Sequence, residues 1–157
     1  MTAQIPETVQ KRKRLILATD TLIALIVICA ALQFTLPGLS NFLWMFAGLG
    51  ATLSHRALQA SIRGAHLPSA QLDEYELQQH VEARDDGLKT ALLLSIVLWI
   101  VSGAILLACA TVFHPTPVDV TLFFSKLIFL QLMWVPFAVT RSLAGKLNRD
   151  ELISGND

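Results

Sequence analysis

The sequence predicts an all-α integral membrane protein: four transmembrane helices as two antiparallel hairpins, with a cytoplasmic juxtamembrane helix between them. Three observations predict this class. Hydrophobic residues make up 54% of the 157-residue chain and charged ones only 15%, whereas about a quarter of a soluble domain is charged. Four apolar stretches reach the length of about 20 residues that a helix needs to cross a hydrocarbon core of about 30 Å. Finally, eleven of the twelve lysines and arginines fall in three clusters, as expected of short segments held on the cytoplasmic side.

Residues 1–14 form the first basic segment, with Lys11, Arg12, Lys13 and Arg14 immediately ahead of an apolar run. The first hairpin occupies residues 15–63. Its spans are expected at Leu15–Leu36, with Asp20 near the start, and Phe42–Ser61, with Arg56 and nearby Arg63 at the end. The second hairpin occupies residues 88–140, with spans at Leu88–Phe113 and Val118–Val139. The two outer turns, "PGLSN" at 37–41 and "HPTP" at 114–117, contain helix breakers and no lysine or arginine, so they are expected to be tight and external. Arg141, Lys146 and Arg149 mark residues 141–157 as a cytoplasmic tail. Both termini and the linker at 64–87 are thereby expected on the cytoplasmic side of the plasma membrane.

"KRKR" before an apolar run imitates a secretory signal, and Cys29 imitates a lipoprotein acceptor. The run is long enough to span, lacks a clear small-x-small cleavage site and has bulky Ile28 beside the cysteine, so a retained anchor is expected. Cys29 and Cys109 lie at different depths in the first and third spans, which predicts apolar packing rather than a disulfide.

In the linker, Pro68 opens a stretch that favours helix from Ala70 to Gly87, with Ser69 as its expected cap. This helix is expected to run into the third span or to hinge against it at Gly87. Leu77, Val81, Arg84 and Leu88 share a face at helical spacing. Six acids, Asp73, Glu74, Glu76, Glu82, Asp85 and Asp86, would be repelled by an anionic membrane surface. They face the cytoplasm or a basic partner, and Asp73, Glu74 and Glu76 are the candidate contacts. Glu76 and His80 stand one turn apart, but no second pair faces them, so no metal is expected.

Chemistry-bearing motifs are missing. The histidines at 55, 66, 80 and 114 do not offer two haem ligands at matching depth inside spans. There is no glycine-rich phosphate loop, Cys-x-x-Cys, G-x-S-x-G or His-Glu-x-x-His. No catalytic residue and no cofactor are therefore expected. Twelve basic and twelve acidic residues cancel, leaving no global field for nucleic acid.

Charges inside the membrane remain, and they are costly enough to mark sites. Asp20 lies roughly 9 Å of helix rise beyond the basic cluster, where it is expected to turn back to Lys13 or Arg14 or to meet a cation of another subunit. Lys126 sits about two turns into the fourth span. Its stem is expected to snorkel outward towards Asp119, seven residues earlier on the same face, sharing water, lipid phosphate or a partner. Phe123, Phe129, Leu130 and Met133 make that face apolar rather than pore-like, and Gln131 projects away. Small residues four apart, Ala47 with Ala51, Gly50 with Ser54 and Ala104 with Ala108, are expected to admit close helix neighbours, within the bundle before another subunit.

The segments "LDEYE" and "ARDDGLK" within residues 72–89, together with the two-hairpin plan, resemble accessory subunits associated with the actinobacterial cytochrome bcc and aa-type oxidase supercomplex. The resemblance implies a non-catalytic subunit that stabilises or assembles a respiratory complex. Its partners would be membrane lipids and larger, cytochrome-containing membrane subunits, which themselves hold the haems and copper. The alternative reading is a small transporter or channel subunit that oligomerises around Lys126 and Asp20.

Overall fold

The computed structural model describes residues 6–62, 73–111 and 115–154. The elements in order are α1 (Glu7–Ala31), prolonged by a single 3-10 turn (Leu32–Phe34), α2 (Pro37–Ala60), α3 (Glu74–Thr111) and α4 (Pro117–Ser154). Arg63, His66, Pro68, Ser69, Ala70 and His114 lie outside the described residues.

Three helices are long and apolar enough to cross a membrane: α1 with its 3-10 turn, α3 and α4. The second of the four expected spans differs. α2 is not among those three: Ser40, Asn41, Thr52, Ser54, His55 and Arg56 all fall within it and interrupt its apolar run.

Local chemistry sets the helix ends. Pro37 occupies the first turn of α2 and pushes Leu36 out of helical geometry, to φ −136° and ψ 64°. Thr116 precedes Pro117 and accepts a hydrogen bond from the Asp119 backbone N–H at 3.2 Å, a cap with proline at the first helical position. α3 starts at Asp73, whose carboxylate accepts the Glu76 N–H at 2.7 Å. The Asp-x-x-Glu spacing has the form of a capping box.

The inward faces of α1, α2 and α4 follow alternating three- and four-residue steps, the pattern of helices packed at a shallow angle. On α1 the buried line includes Val9, Arg12, Thr19, Ile23, Ile26 and Ala30, and it reaches Gln33 in the 3-10 turn. On α4 it includes Phe123, Lys126, Leu130, Met133, Phe137, Thr140, Ala144 and Asn148. α2 contributes Ser40, Ala47, Ala51 and Leu58. α4 touches every other helix, whereas α3 packs principally on α4.

α2 uses its small residues inside this bundle, as expected. Ala47 and Ala51 are in the core, a Cβ at Gly48 would stand 3.2 Å from the Phe129 ring, and one at Gly50 would stand 3.2 Å from Leu22. The Ser54 hydroxyl lies 2.7 Å from that of Thr19. On α3 the small residues that pack are others than those expected. Ala104 is exposed, while Gln79, Ala83, Gly87 and Ala91, each four residues on, are buried against α4. Gly87 is therefore a point of close approach inside a continuous helix, not a hinge. A Cβ there would collide with Val139 Cγ2 and come within 3.3 Å of the Val139 backbone nitrogen. Leu77, Val81, Arg84 and Leu88, expected to share a face, are all exposed. The packing surface is the ridge of small residues because it lets two backbones meet. Cys29 and Cys109 are both free thiols.

Candidate functional site around Lys126

Lys126 is completely buried. Its position on α4 explains why: one turn to either side on the same stripe are Phe123 and Leu130, both in the core, so the lysine Cα faces inward. The side chain does not snorkel. Its ammonium donates to Gln33 Oε1, to Ser40 Oγ and, at 2.9 Å, to Asn41 Oδ1. Each of its three N–H groups thus has an acceptor. The indole of Trp44 lies 5.9 Å away, within cation–π range.

Each acceptor is positioned by its backbone. The 3-10 turn after α1 carries Gln33 into the interior, and Pro37 starts α2 so that Ser40 and Asn41 sit in its first turns. Ser40 Oγ passes its own proton to the Cys29 carbonyl at the end of α1. Gln33 is the hub: its Oε1 accepts from Lys126, and its Nε2 donates to Asp119 Oδ1 at 3.2 Å. Asp119 also accepts from the Thr116 hydroxyl at 2.6 Å. Lys126 and Asp119 are therefore coupled through Gln33 rather than in direct contact. Neutral oxygens surround the cation, and the carboxylate stands one residue further out.

Asp20 belongs to a separate place. It pairs with Arg141 of α4 at 2.9 Å, a partner not singled out in the sequence, rather than with Lys13 or Arg14. Thirteen residues, or roughly 20 Å of helix rise, separate it from Gln33. The structure does not bring Asp20 and Lys126 together.

Near Asp20 lies a second buried cation, Arg12, at 5% exposure. It donates to the Ser61 carbonyl at 3.2 Å, to Asn148 Oδ1 at 3.4 Å and to Glu151 Oε1 at 2.7 Å. Thr8 donates to the other Glu151 oxygen at 2.7 Å. The three-helix core thus has a cationic cluster near each end, with apolar side chains between. Between apolar helices in lipid there is no hydrophobic driving force, because lipid tails are as apolar as leucine. Packing and these polar bonds hold the bundle, each hydrogen bond to a charged group contributing about 1.5–3 kcal/mol where it is shielded from water.

One acid near the start of α3 finds a basic counterpart on α4, and two further polar contacts join the helices there. Glu82 pairs with Lys146 of α4 at 2.6 Å, Ser142 donates to Asp86 at 2.9 Å, and Gln79 donates to Asp150 at 2.8 Å. The hydrogen bonds from Lys146 and Gln78, and the Lys146 charge, hold the Glu82 carboxyl below its ordinary range. Of the three candidate contacts, Asp73 caps the helix, while Glu74 and Glu76 are exposed. Among the described residues no three histidine, cysteine or acidic side chains converge as a metal site.

Gln33, Ser40, Asn41 and Arg12 were not singled out from the sequence. Their signal is the alternating three- and four-residue stripe, on which Arg12 and Gln33 occupy core positions of α1. The enclosed ammonium has no open side for a substrate, and its chemistry is to pin α4 to the far ends of α1 and α2. No protein-family model, curated protein or solved structure matches the chain.

Proposed function

We propose that this protein is a non-catalytic accessory subunit that stabilises or assembles a larger plasma-membrane complex. In this reading α2 crosses the membrane with the other three helices, making two antiparallel hairpins with both termini and the 64–87 linker in the cytoplasm. The partners are larger membrane subunits, and the resemblance at residues 72–89 makes the cytochrome bcc and aa-type oxidase supercomplex the assembly to test.

The observation that carries this reading is the surface of α3. None of its most apolar stretch is buried within the chain, and Trp99 is 77% exposed. Trp99, Ser102, Gly103 and Leu106, with Phe124 of α4, line an open groove of about 520 Å³. A Cβ at Gly103 would meet nothing within 4 Å, which leaves a notch where a neighbouring helix can approach closely. The enclosure of Lys126 favours the same reading over transport. A path needs polar groups open to one another through the bilayer, and here the ammonium is sealed while Asp20 lies at another depth.

Purification of the C-terminally tagged chain in mild detergent tests the proposal. Haem bands and large co-purifying subunits are the expected result. A colourless homo-oligomer would overturn it and shift attention to flux in liposomes, which Lys126→Ala and Asp20→Asn abolish if the chain forms a channel.

A further inference from the structure

Between α3 and α4, at the end that carries the basic clusters, lies an open cleft of about 510 Å³. Trp134, Phe137 and Ala138 form its apolar part, and Arg141, Lys146 and Arg149 its cationic part. The order follows α4: apolar residues first, then cations about one, two and three turns further on. Tryptophan followed by arginine and lysine is the sequence of groups met on leaving the hydrocarbon for the headgroup layer.

The charges in the cleft are unevenly satisfied. Arg141 is paired with Asp20 through only one of its nitrogens, and Lys146 is paired with Glu82. Asp86, the carboxylate lining the cleft, accepts from Ser142. Arg149 is exposed and has no ion-pair partner among the described residues. Gly145 lies between Arg141 and Arg149 on the same stripe, and a Cβ there would meet nothing within 4 Å. The cleft therefore offers a free guanidinium, spare donors on a second, an unfilled position between them and an apolar wall running into the spans.

We infer that this cleft binds the phosphate of an anionic lipid headgroup, with Arg149 and Arg141 donating to the phosphate oxygens and an acyl chain lying against Trp134 and Ala138, which the buried Phe137 backs. Planar guanidinium groups suit phosphate oxygens, and the adjoining apolar wall favours a lipid over free phosphate. The inference rests on the membrane-spanning reading of α4 proposed above, but not on the identity of the assembly.

Native mass spectrometry of the purified full chain, with phosphatidylglycerol or phosphatidylcholine of identical acyl chains added, tests it. Phosphatidylglycerol is expected to be retained in preference to phosphatidylcholine. Arg149→Gln is expected to weaken that retention about fivefold, the effect of one interfacial basic residue. Gly145→Leu starts from a Cβ that meets nothing within 4 Å, projects its side chain into the cleft and is expected to weaken retention as well, both variants keeping the helical circular dichroism of the parent. Equal retention of the two lipids, or retention unchanged in both variants, would overturn the inference. Displacement by millimolar inorganic phosphate would assign the cleft to free phosphate and overturn the lipid assignment. A chain that co-purifies with large partners yet retains no phosphatidylglycerol would sink this inference alone.

Discussion

Lys126 is worth most as a set of three filled hydrogen bonds. Lys126→Ala leaves Gln33, Ser40 and Asn41 facing a void, and the expected loss of stability is about 3 kcal/mol, as when one partner of a buried charged set is removed. Lys126→Met fills the volume and lets the three polar side chains bond to one another, so its cost is expected near 1 kcal/mol. Thermal unfolding of both variants in the same detergent checks the order; an alanine variant no less stable than the methionine one would show that the bonds contribute nothing net. Arg12→Ala, which removes the donors to the Ser61 carbonyl, Asn148 and one Glu151 oxygen, is expected to cost about 2 kcal/mol by the same measurement. At Glu82 the prediction concerns pH. Its folded carboxyl is held below the ordinary value, so its contribution is complete above the unfolded value of about 4.3 and is lost as pH falls through the folded one. Amide exchange in residues 74–87, corrected for intrinsic rates, is expected to accelerate over that acid window. In Lys146→Ala this component should vanish.

At the scale of an element, the ridge Ala83, Gly87 and Ala91 decides how near α3 comes to α4. Gly87→Val places a branched side chain where Val139 and its backbone already stand, and the expected cost is about 3 kcal/mol, the upper range for overpacking. Disulfide trapping between cysteines at Gln79 and Asp150 should report the parting of the two helices. Here the sequence was legible in type but not in detail. Hydropathy and proline placement outline the four helices, because chain length and a missing N–H act locally. The cap at Asp73 was not read from the sequence, where Ser69 was the expected cap and Asp73 a partner contact. Nor was the face of α3 that packs: Leu77, Val81 and Leu88 are the larger apolar residues, but a ridge of alanine and glycine wins when backbone approach, rather than escape from water, sets the contact. Lys126 was conspicuous as a charge, whereas its acceptors are ordinary polar residues whose role depends on helices distant in sequence meeting at one height.

For the whole molecule, the proposed topology predicts which residues meet water on each side. In a Cys109→Ala background, Val118→Cys is expected to react with a membrane-impermeant maleimide in intact cells, and Lys13→Cys only after the membrane is opened. Labelling of both sites in intact cells would refute the arrangement. The central position of α4 then bears on how the protein is made. A chain synthesised from its N-terminus delivers α1 and α2 to the membrane first, with Arg12, Gln33 and Ser40 already turned towards a space that nothing yet fills. α2 is not among the helices long and apolar enough to cross a membrane by themselves, so in the proposed topology its partners in the bundle help to hold it there. Some bonds of the two polar clusters already join α1 and α2, from Arg12 to the Ser61 carbonyl and from Ser40 to the Cys29 carbonyl, but Lys126, Asn148 and Glu151 come from α4, which emerges after the other three helices. Closure of the two clusters therefore waits for α4, and in the proposed topology synthesis that stops before Pro117 leaves a product with unmet polar groups inside the bilayer, the kind of product that membrane proteases remove.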